Sequence, residues 1–439
     1  MSDDVRRTVE AVWRIEGARV VSTVARMVGD VGLAEDLAQD ALADALAQWP
    51  ESGVPRNAGA WLTAVAKRRA IDTWRRSERL DDRYRTLAHD MSTAAEQEWE
   101  PIEDDVLKLV FAACHPVLSR EAQVALTLRV VSGLTTEEIA RMFLVPVPTM
   151  QQRIVRAKKT LSAARVPFAV PEPHEWGRRL AAVLAVVYLV FTEGYAATSG
   201  DRVLRTDLAG EALRLGRMVA ALAPREPEAH ALVALMEIQA SRFAARVGPD
   251  GAPVLLADQD RSRWDRGQIT RGLAALARAD AFGRGRGPYG LQAAIAACHA
   301  RAADVADTDW EEIVTLYTAL EQLTKNPVVT LNRAVAVSMA ADPATALRIL
   351  DEELDAKRLA GSYLLPSARG ELLARLGRHQ EAREELRRAA DLAGNERQRA
   401  VLLERIEGLE GLEGLEGLEG LKGLEGPDDP DGSEESKGS

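Results

Sequence analysis

Cysteine is almost absent. Only Cys114 and Cys298 occur, far apart, and such a pair supplies no disulfide framework. Their neighbours make Cys114-His115 and Cys298-His299 adjacent pairs, which is not the spacing of a zinc site. Long apolar runs are missing too. The longest, Leu180 to Phe191, is too short to span a bilayer and reads as a buried helix. The start, MSDDVRRTVE, has no apolar signal core, so the expected location is the cytoplasm, with no membrane partner. No Gly-rich phosphate loop follows a strand: Gly283-Arg-Gly-Arg-Gly287 reads as a plain loop. Glu193 to Asp201 holds nucleophile-like residues without a partnered histidine. No catalytic constellation, metal site or cofactor is expected, and the chain is not expected to be an enzyme.

What is present is helical periodicity and uneven charge. The net charge of -11 argues against a chain that is basic throughout, yet between Arg141 and Arg165 every charged residue is basic. A local basic patch, rather than net charge, is what meets nucleic acid. Trp61 to Arg76 reads as one two-faced helix. Leu62, Val65, Ala66, Ala70 and Trp74 share one side; Trp61, Arg68, Asp72, Arg75 and Arg79 share another. An indole beside guanidinium groups suits a single strand, which needs stacking and phosphate neutralisation. Trp61 is equally compatible with burial at the edge of a domain.

Ahead of this helix, Leu33 to Trp49 carries an apolar stripe with Glu35, Asp36, Gln39 and Asp40 on its outer face. Pro50 to Asn57 is a loop by its Pro and Gly content, and Asn57 is placed to cap the helix that follows. Residues 80–105 read as an exposed acidic linker. Beyond it, Ser119 and Thr135 are N-cap candidates, Thr135 with Glu138 forming a capping box. After the Leu144 to Pro148 break, Thr149 is expected to cap a last helix. Met150, Ile154, Ala157 and Leu161 lie on one face of it; Gln152, Arg153, Arg156 and Lys159 lie opposite. This is a helix-turn-helix pattern, and Gln and Arg are side chains that read base edges while Lys suits phosphates.

AEDLAQDALADALAQWP followed by PRNAGAWLTAVAKRRAIDTWRR resembles region two of the sigma-70 family, in particular its extracytoplasmic-function (ECF) group. GLTTEEIARMFLVPVPTMQQRIVRAKKTL resembles region four. The resemblance implies an all-α protein with region two at 1–86, a linker at 87–104 and region four at 105–166. It implies core RNA polymerase (beta-prime coiled coil, beta flap) and promoter DNA as partners. Polymerase docking would fall to Glu35, Asp36, Gln39 and Asp40. Minus-ten binding, with strand opening, would fall to Asn57, Trp61, Lys67, Arg68, Arg75 and Arg76. Minus-thirty-five binding would fall to Thr149, Gln152, Arg153, Arg156 and Lys159. One departure stands out: Arg68 occupies a position where the family usually has Asn. The alternative is a helix-turn-helix regulator with a partner-binding extension and no polymerase docking.

Residues 167–406 extend past the usual end of such a factor. Gly370, Leu373, Gly377, Ala382, Leu386 and Ala389 match the small and large positions of a tetratricopeptide (TPR) unit. Ala334, Ala346 and Leu350 repeat it one unit back, and Ile313, Tyr317 and Leu320 extend it further. The pattern is weak before residue 285. A TPR-like regulatory extension with an intramolecular or separate protein partner is expected. Asp258 to Arg266 reads as a solvated helix start or a ligand-binding element. The Gly-Leu-Glu tail, 407–439, is expected to be disordered because Gly recurs at every third position.

Overall fold

The computed structural model describes residues 3–77, 103–143, 145–195, 206–248, 254, 256–394 and 396–422. The expected linker at 87–104 falls outside them except for its last two residues. Two compact units emerge. The first comprises 1–197, 204–244 and 263–296; the second comprises 198–203, 245–262 and 297–439.

The first unit opens with α1 (Asp3–Val28), α2 (Val31–Ser52) and α3 (Ala58–Ser77). Gly29, in the left-handed region at φ 73°, ends α1. Asp30 then caps α2, accepting the Leu33 N–H at 2.9 Å. α2 buries Leu37, Ala38, Ala41, Ala45 and Trp49; α3 buries Leu62, Ala66 and Ala70. Alanines on both faces let the three helices approach closely. Asn57 caps α3 as expected, its Oδ1 accepting the Ala60 N–H at 3.0 Å.

Next come α4 (Glu103–Ala113), α5 (Arg120–Val130), α6 (Thr136–Met142) and α7 (Val147–Ala163). Ser119 caps α5, and Thr135 with Glu138 forms the expected capping box on α6. α7 corrects one expectation. It begins at Val147, so Thr149 lies inside the first turn and is not the cap. Pro148 is tolerated there because the first N–H groups of a helix lack intrahelical partners anyway.

The same unit continues into the extension with α8 (Pro173–Tyr195), α9 (Thr206–Leu222), α10 (Pro227–Ala240) and α11 (Arg266–Asp280). The apolar run of the sequence lies in α8, where Leu180, Val183, Leu184, Val187, Val190 and Phe191 are buried. One hydrophobic core runs without interruption from Val9 through α4–α7 to Ala240. Phe111 of α4 meets Trp176 of α8 edge to face at 5.2 Å, and Arg179 donates to the Phe111 carbonyl at 2.9 Å.

α12 (Pro288–Arg301) passes from the first unit into the second. The second continues with α13 (Trp310–Thr324), α14 (Pro327–Ala340), α15 (Pro343–Glu352), α16 (Leu364–Arg375), α17 (His379–Leu392) and α18 (Glu396–Lys422). Consecutive helices pack as hairpins. The TPR-like positions fall where the pattern requires: Ala334, Ala346, Leu350, Leu373, Ala382, Leu386 and Ala389 are all buried. Gly370 marks the close crossing of α16 and α17, where a Cβ would lie 2.7 Å from Leu386 Cγ. Helices of the extension also pack in sequential pairs in the first unit, α8 with α9 and α10 with α11, so the extension is divided between the two units. Asp258 to Arg266 is less solvated than expected: Arg261 is buried and donates to the carbonyls of His299 and Ala302 and to the Thr308 hydroxyl.

The tail also differs from expectation. α18 runs through the first Gly-Leu-Glu repeats to Lys422. Leu402, Ile406 and Leu409, spaced by helical turns, are buried in the core of the second unit, which offsets a glycine penalty of about 1 kcal/mol each. Residues 423–439 lie outside the described residues.

Both cysteines are buried, and burial pushes the Cys114 thiol up to about 11 and the Cys298 thiol up to about 12. At pH 8 iodoacetamide is therefore expected to alkylate the folded chain at least about a hundredfold more slowly than the urea-unfolded chain. Comparable rates would show that the thiols are reached in the native state.

Candidate polymerase and promoter interface

The candidates expected from the region-two resemblance lie on α2 and α3 and just before α3. Asp36 and Asp40 are exposed on α2, Gln39 is half-buried, and Glu35 is 2% exposed. Glu35 does not face solvent: Arg129 of α5 donates to it at 2.8 Å, and Lys158 of α7 pairs with its second oxygen. Lys158 also reaches Asp36 at 2.7 Å. In this arrangement Glu35 is therefore unavailable to a partner, unlike the other three docking candidates. A buried carboxylate stripped of its cations is destabilising by about 3–5 kcal/mol, so the pairing holds Glu35 firmly.

α3 turns its charge outward. Arg68 is exposed, and Trp61 is half-buried with its ring 5.4 Å from that of Trp49, edge to face at 66°. Trp61 packs on Trp49 and also lines a groove of about 470 Å³ with Arg68, Arg69, Asp72 and Asp40. Lys67 is half-buried. Burial, then the nearby Arg26 charge, lowers its pKa below the usual lysine value. Arg75 and Arg76 lie on α3, with side chains outside the described residues; Arg79 lies beyond them. Arg69 was missed in the sequence. It grips Asp44 through two nitrogens, at 3.0 and 2.7 Å, and Asp40 at 3.4 Å, tying α3 to α2. Its signal was available: it lies one position beyond Arg68, turned towards α2.

The helix-turn-helix is α6–α7. Met150, Ile154, Ala157 and Leu161 are buried, while Thr149, Gln152, Arg156 and Lys159 are exposed and Arg153 is half-buried. The five candidate readers thus lie on the side of α7 away from its core. Lys158 is the exception on this basic helix, pointing back to α2.

Regions two and four meet along a seam. Trp13 of α1 lies against Gly133, where a Cβ would come 3.2 Å from the indole, and Arg14 donates to Glu138 at 2.5 Å. Gly133, at φ 68°, is required both by its backbone and by this contact. A cleft of about 510 Å³ follows the seam, with Gln39, Arg129 and Arg141 in its walls.

The family models for sigma-70 region 2 and sigma-70 region 4 match residues 13–80 and 108–161 respectively. The probable ECF RNA polymerase sigma factor SigI of Mycobacterium tuberculosis, in strains CDC 1551 / Oshkosh and ATCC 25618 / H37Rv, is 28% identical over 215 residues, covering 46% of this chain and 69% of SigI. The chain belongs to the ECF group of the sigma-70 family. As a sigma factor it directs core RNA polymerase to promoters, and both matched regions are made of helices joined by short turns among their described residues. An uncharacterized protein of Rhizobium meliloti (strain 1021) is 44% identical over 389 residues, 86% of this chain and 90% of that one, so its similarity reaches well beyond the two sigma regions. Within the extension, residues 179–280 match a family of unknown function (DUF6596). No solved structure matches. Sigma factors as a family are generally not enzymes. Among the described residues no helix is long and apolar enough to cross a membrane.

Proposed function

We propose that Asp36, Gln39 and Asp40 form the docking face for the beta-prime coiled coil, with the beta flap meeting region four. The minus-ten element is opened and its unpaired strand held along α3 by Asn57, Trp61, Lys67, Arg68, Arg75 and Arg76. Trp61 supplies stacking and the arginines neutralise phosphates. Arg68 adds charge where the family usually has Asn, which strengthens strand binding and shifts base preference. Thr149, Gln152, Arg153, Arg156 and Lys159 contact the minus-thirty-five element in the major groove. The extension modulates this activity. The observation that supports the reading best is the outward display of Arg68 on α3 and of Gln152, Arg156 and Lys159 on α7, each opposite a face of buried side chains.

Transcription in vitro with core polymerase on a pool of genomic promoter fragments tests the reading. Discrete start sites preceded by a shared pair of elements are expected. In a parallel pull-down, Asp40→Lys is expected to weaken polymerase capture about tenfold, as loss of a charged interface contact does. Full capture by this variant would remove α2 from the docking surface.

A further inference from the structure

The loop Gly283-Arg-Gly-Arg-Gly287 joins α11 to α12. Gly283 and Gly285 hold left-handed backbone at φ 64° and 76°, so this turn alternates glycine with arginine. Its base is pinned to α10. Glu228 accepts the Tyr289 and Gly290 N–H groups at 2.8 and 3.0 Å, and the Phe282 ring stacks on His230 at 6.1 Å. His230 in turn donates to the Pro224 carbonyl at 2.9 Å, which sets the α9–α10 turn, with Arg225, beside the loop.

The same loop lies next to region four. Tyr289 meets Tyr188 of α8 edge to face at 5.4 Å, and α8 packs on α5. Burial, then the neighbouring Tyr188 and Glu228, push the Tyr289 hydroxyl up, and the charge of Arg120, the first residue of α5, opposes them. On its other side Arg120 borders the recognition helix. The Glu121 carboxyl is held below the usual range first by its own backbone N–H and the Ser119 hydroxyl, then by Arg153 of α7 and by Arg120.

Arginines without partners gather along this line. Arg120, Arg225, Arg278 and Arg284 are exposed, and none forms an ion pair with another described residue. The neighbouring acids are already engaged. Asp280 pairs with Arg286 at 2.8 Å, Glu226 accepts from the Trp176 indole at 2.8 Å, and Glu228 serves the two N–H groups of α12. In a chain of net charge -11, this surface carries an excess of guanidinium groups at the tips of turns and helix ends. Such groups suit phosphates. All four arginines belong to the first unit, as does α7, and the hydrophobic core that runs from α5 and α7 into α8–α10 holds these elements together.

We propose that the extension carries a second contact to promoter DNA, in which Arg225, Arg278 and Arg284, linked to α7 through Arg120, bind phosphates of the duplex flanking the minus-thirty-five element. The inference rests on the reading of α7 as the helix that contacts that element. The added contact supplies affinity without base preference, because phosphates carry no sequence information directly. Arg225 and Arg278 fall within residues 179–280, so the segment that matches a family of unknown function forms part of a DNA-binding surface.

The test measures promoter binding by the full chain with core polymerase over a range of salt. Arg225→Ala with Arg278→Ala and Arg284→Ala is expected to bind at least about tenfold more weakly at physiological salt. The salt slope should become shallower by about 2.7, at about 0.9 per phosphate contact. The corresponding triple lysine variant should keep the slope. Neutral methylphosphonate linkages on either side of the element should weaken binding by the unaltered chain and leave the triple alanine variant unaffected. Thermal unfolding and polymerase capture should not change, since the three side chains are exposed and unpaired. An unchanged salt slope overturns the proposal, as does equal sensitivity of both proteins to the neutral linkages. A loss confined to polymerase capture also overturns it, and makes the patch a protein-docking surface. If Arg153→Ala with Arg156→Ala leaves selectivity for the element intact, the reading of α7 fails instead, and the neutral linkages still report whether the arginines of the extension touch DNA.

Discussion

Arg153→Ala with Arg156→Ala is expected to remove selective transcription from promoters that depend on the minus-thirty-five element. Each bidentate arginine–guanine contact contributes about 1–3 kcal/mol of discrimination, so the pair stands for roughly 2–6 kcal/mol. Arg156 is exposed and Arg153 half-buried beside the buried stripe of Met150, Ile154, Ala157 and Leu161, which neither forms, so the helix should keep its seat when they are shortened. Lys159→Ala provides the contrast. As a phosphate contact it should weaken binding evenly across sequences and reduce the salt slope by about one. The measurement is promoter binding and transcription at several salt concentrations on matched and scrambled elements. Loss of selectivity in the lysine variant and not in the arginine pair would reverse the assignment.

Trp49→Ala is expected to destabilise the first unit by about 3–5 kcal/mol, the usual range for emptying a buried tryptophan site. Trp49 is 1% exposed and is the largest fully buried side chain at the junction of α2 and α3. Its edge-to-face partner is Trp61, so the loss also loosens the aromatic proposed for strand stacking. Urea unfolding followed by near-ultraviolet dichroism should show an earlier transition, and a double-mutant cycle with Trp61→Ala should give a coupling of about 0.5–1.5 kcal/mol. A change below about 1 kcal/mol would mean that the ring is not packed as described.

Much of the architecture was readable because it depends on neighbours in sequence. The two faces of α7, the Thr135–Glu138 box and the Asn57 cap all act within a few residues. The TPR-like small positions were readable for a related reason: Gly370, Ala382 and Leu386 meet across a single hairpin. What was not readable acts over long separations. Glu35 looked like one more acid on a solvated face, because its partners Arg129 and Lys158 are 94 and 123 residues away. The start of α7 was displaced for a different reason. Pro146 and Pro148 look like breakers, yet Pro146 is the N-cap and Pro148 sits in the first turn, which accommodates it. At Glu407 glycine spacing argued against a helix, and the burial of Leu409 outweighed it.

The uninterrupted core from Val9 to Ala240 has a consequence for anyone recombining such factors. Promoter-reading parts are often treated as cassettes that can be exchanged at linkers. Here a junction at Pro167 would strip Trp176 from Phe111 and bare an oily flank of α4, so the donor part would arrive sticky. The unit of exchange is set by the core and extends at least through α10. A chimaera that carries region four should carry α8 to α10 from the same parent.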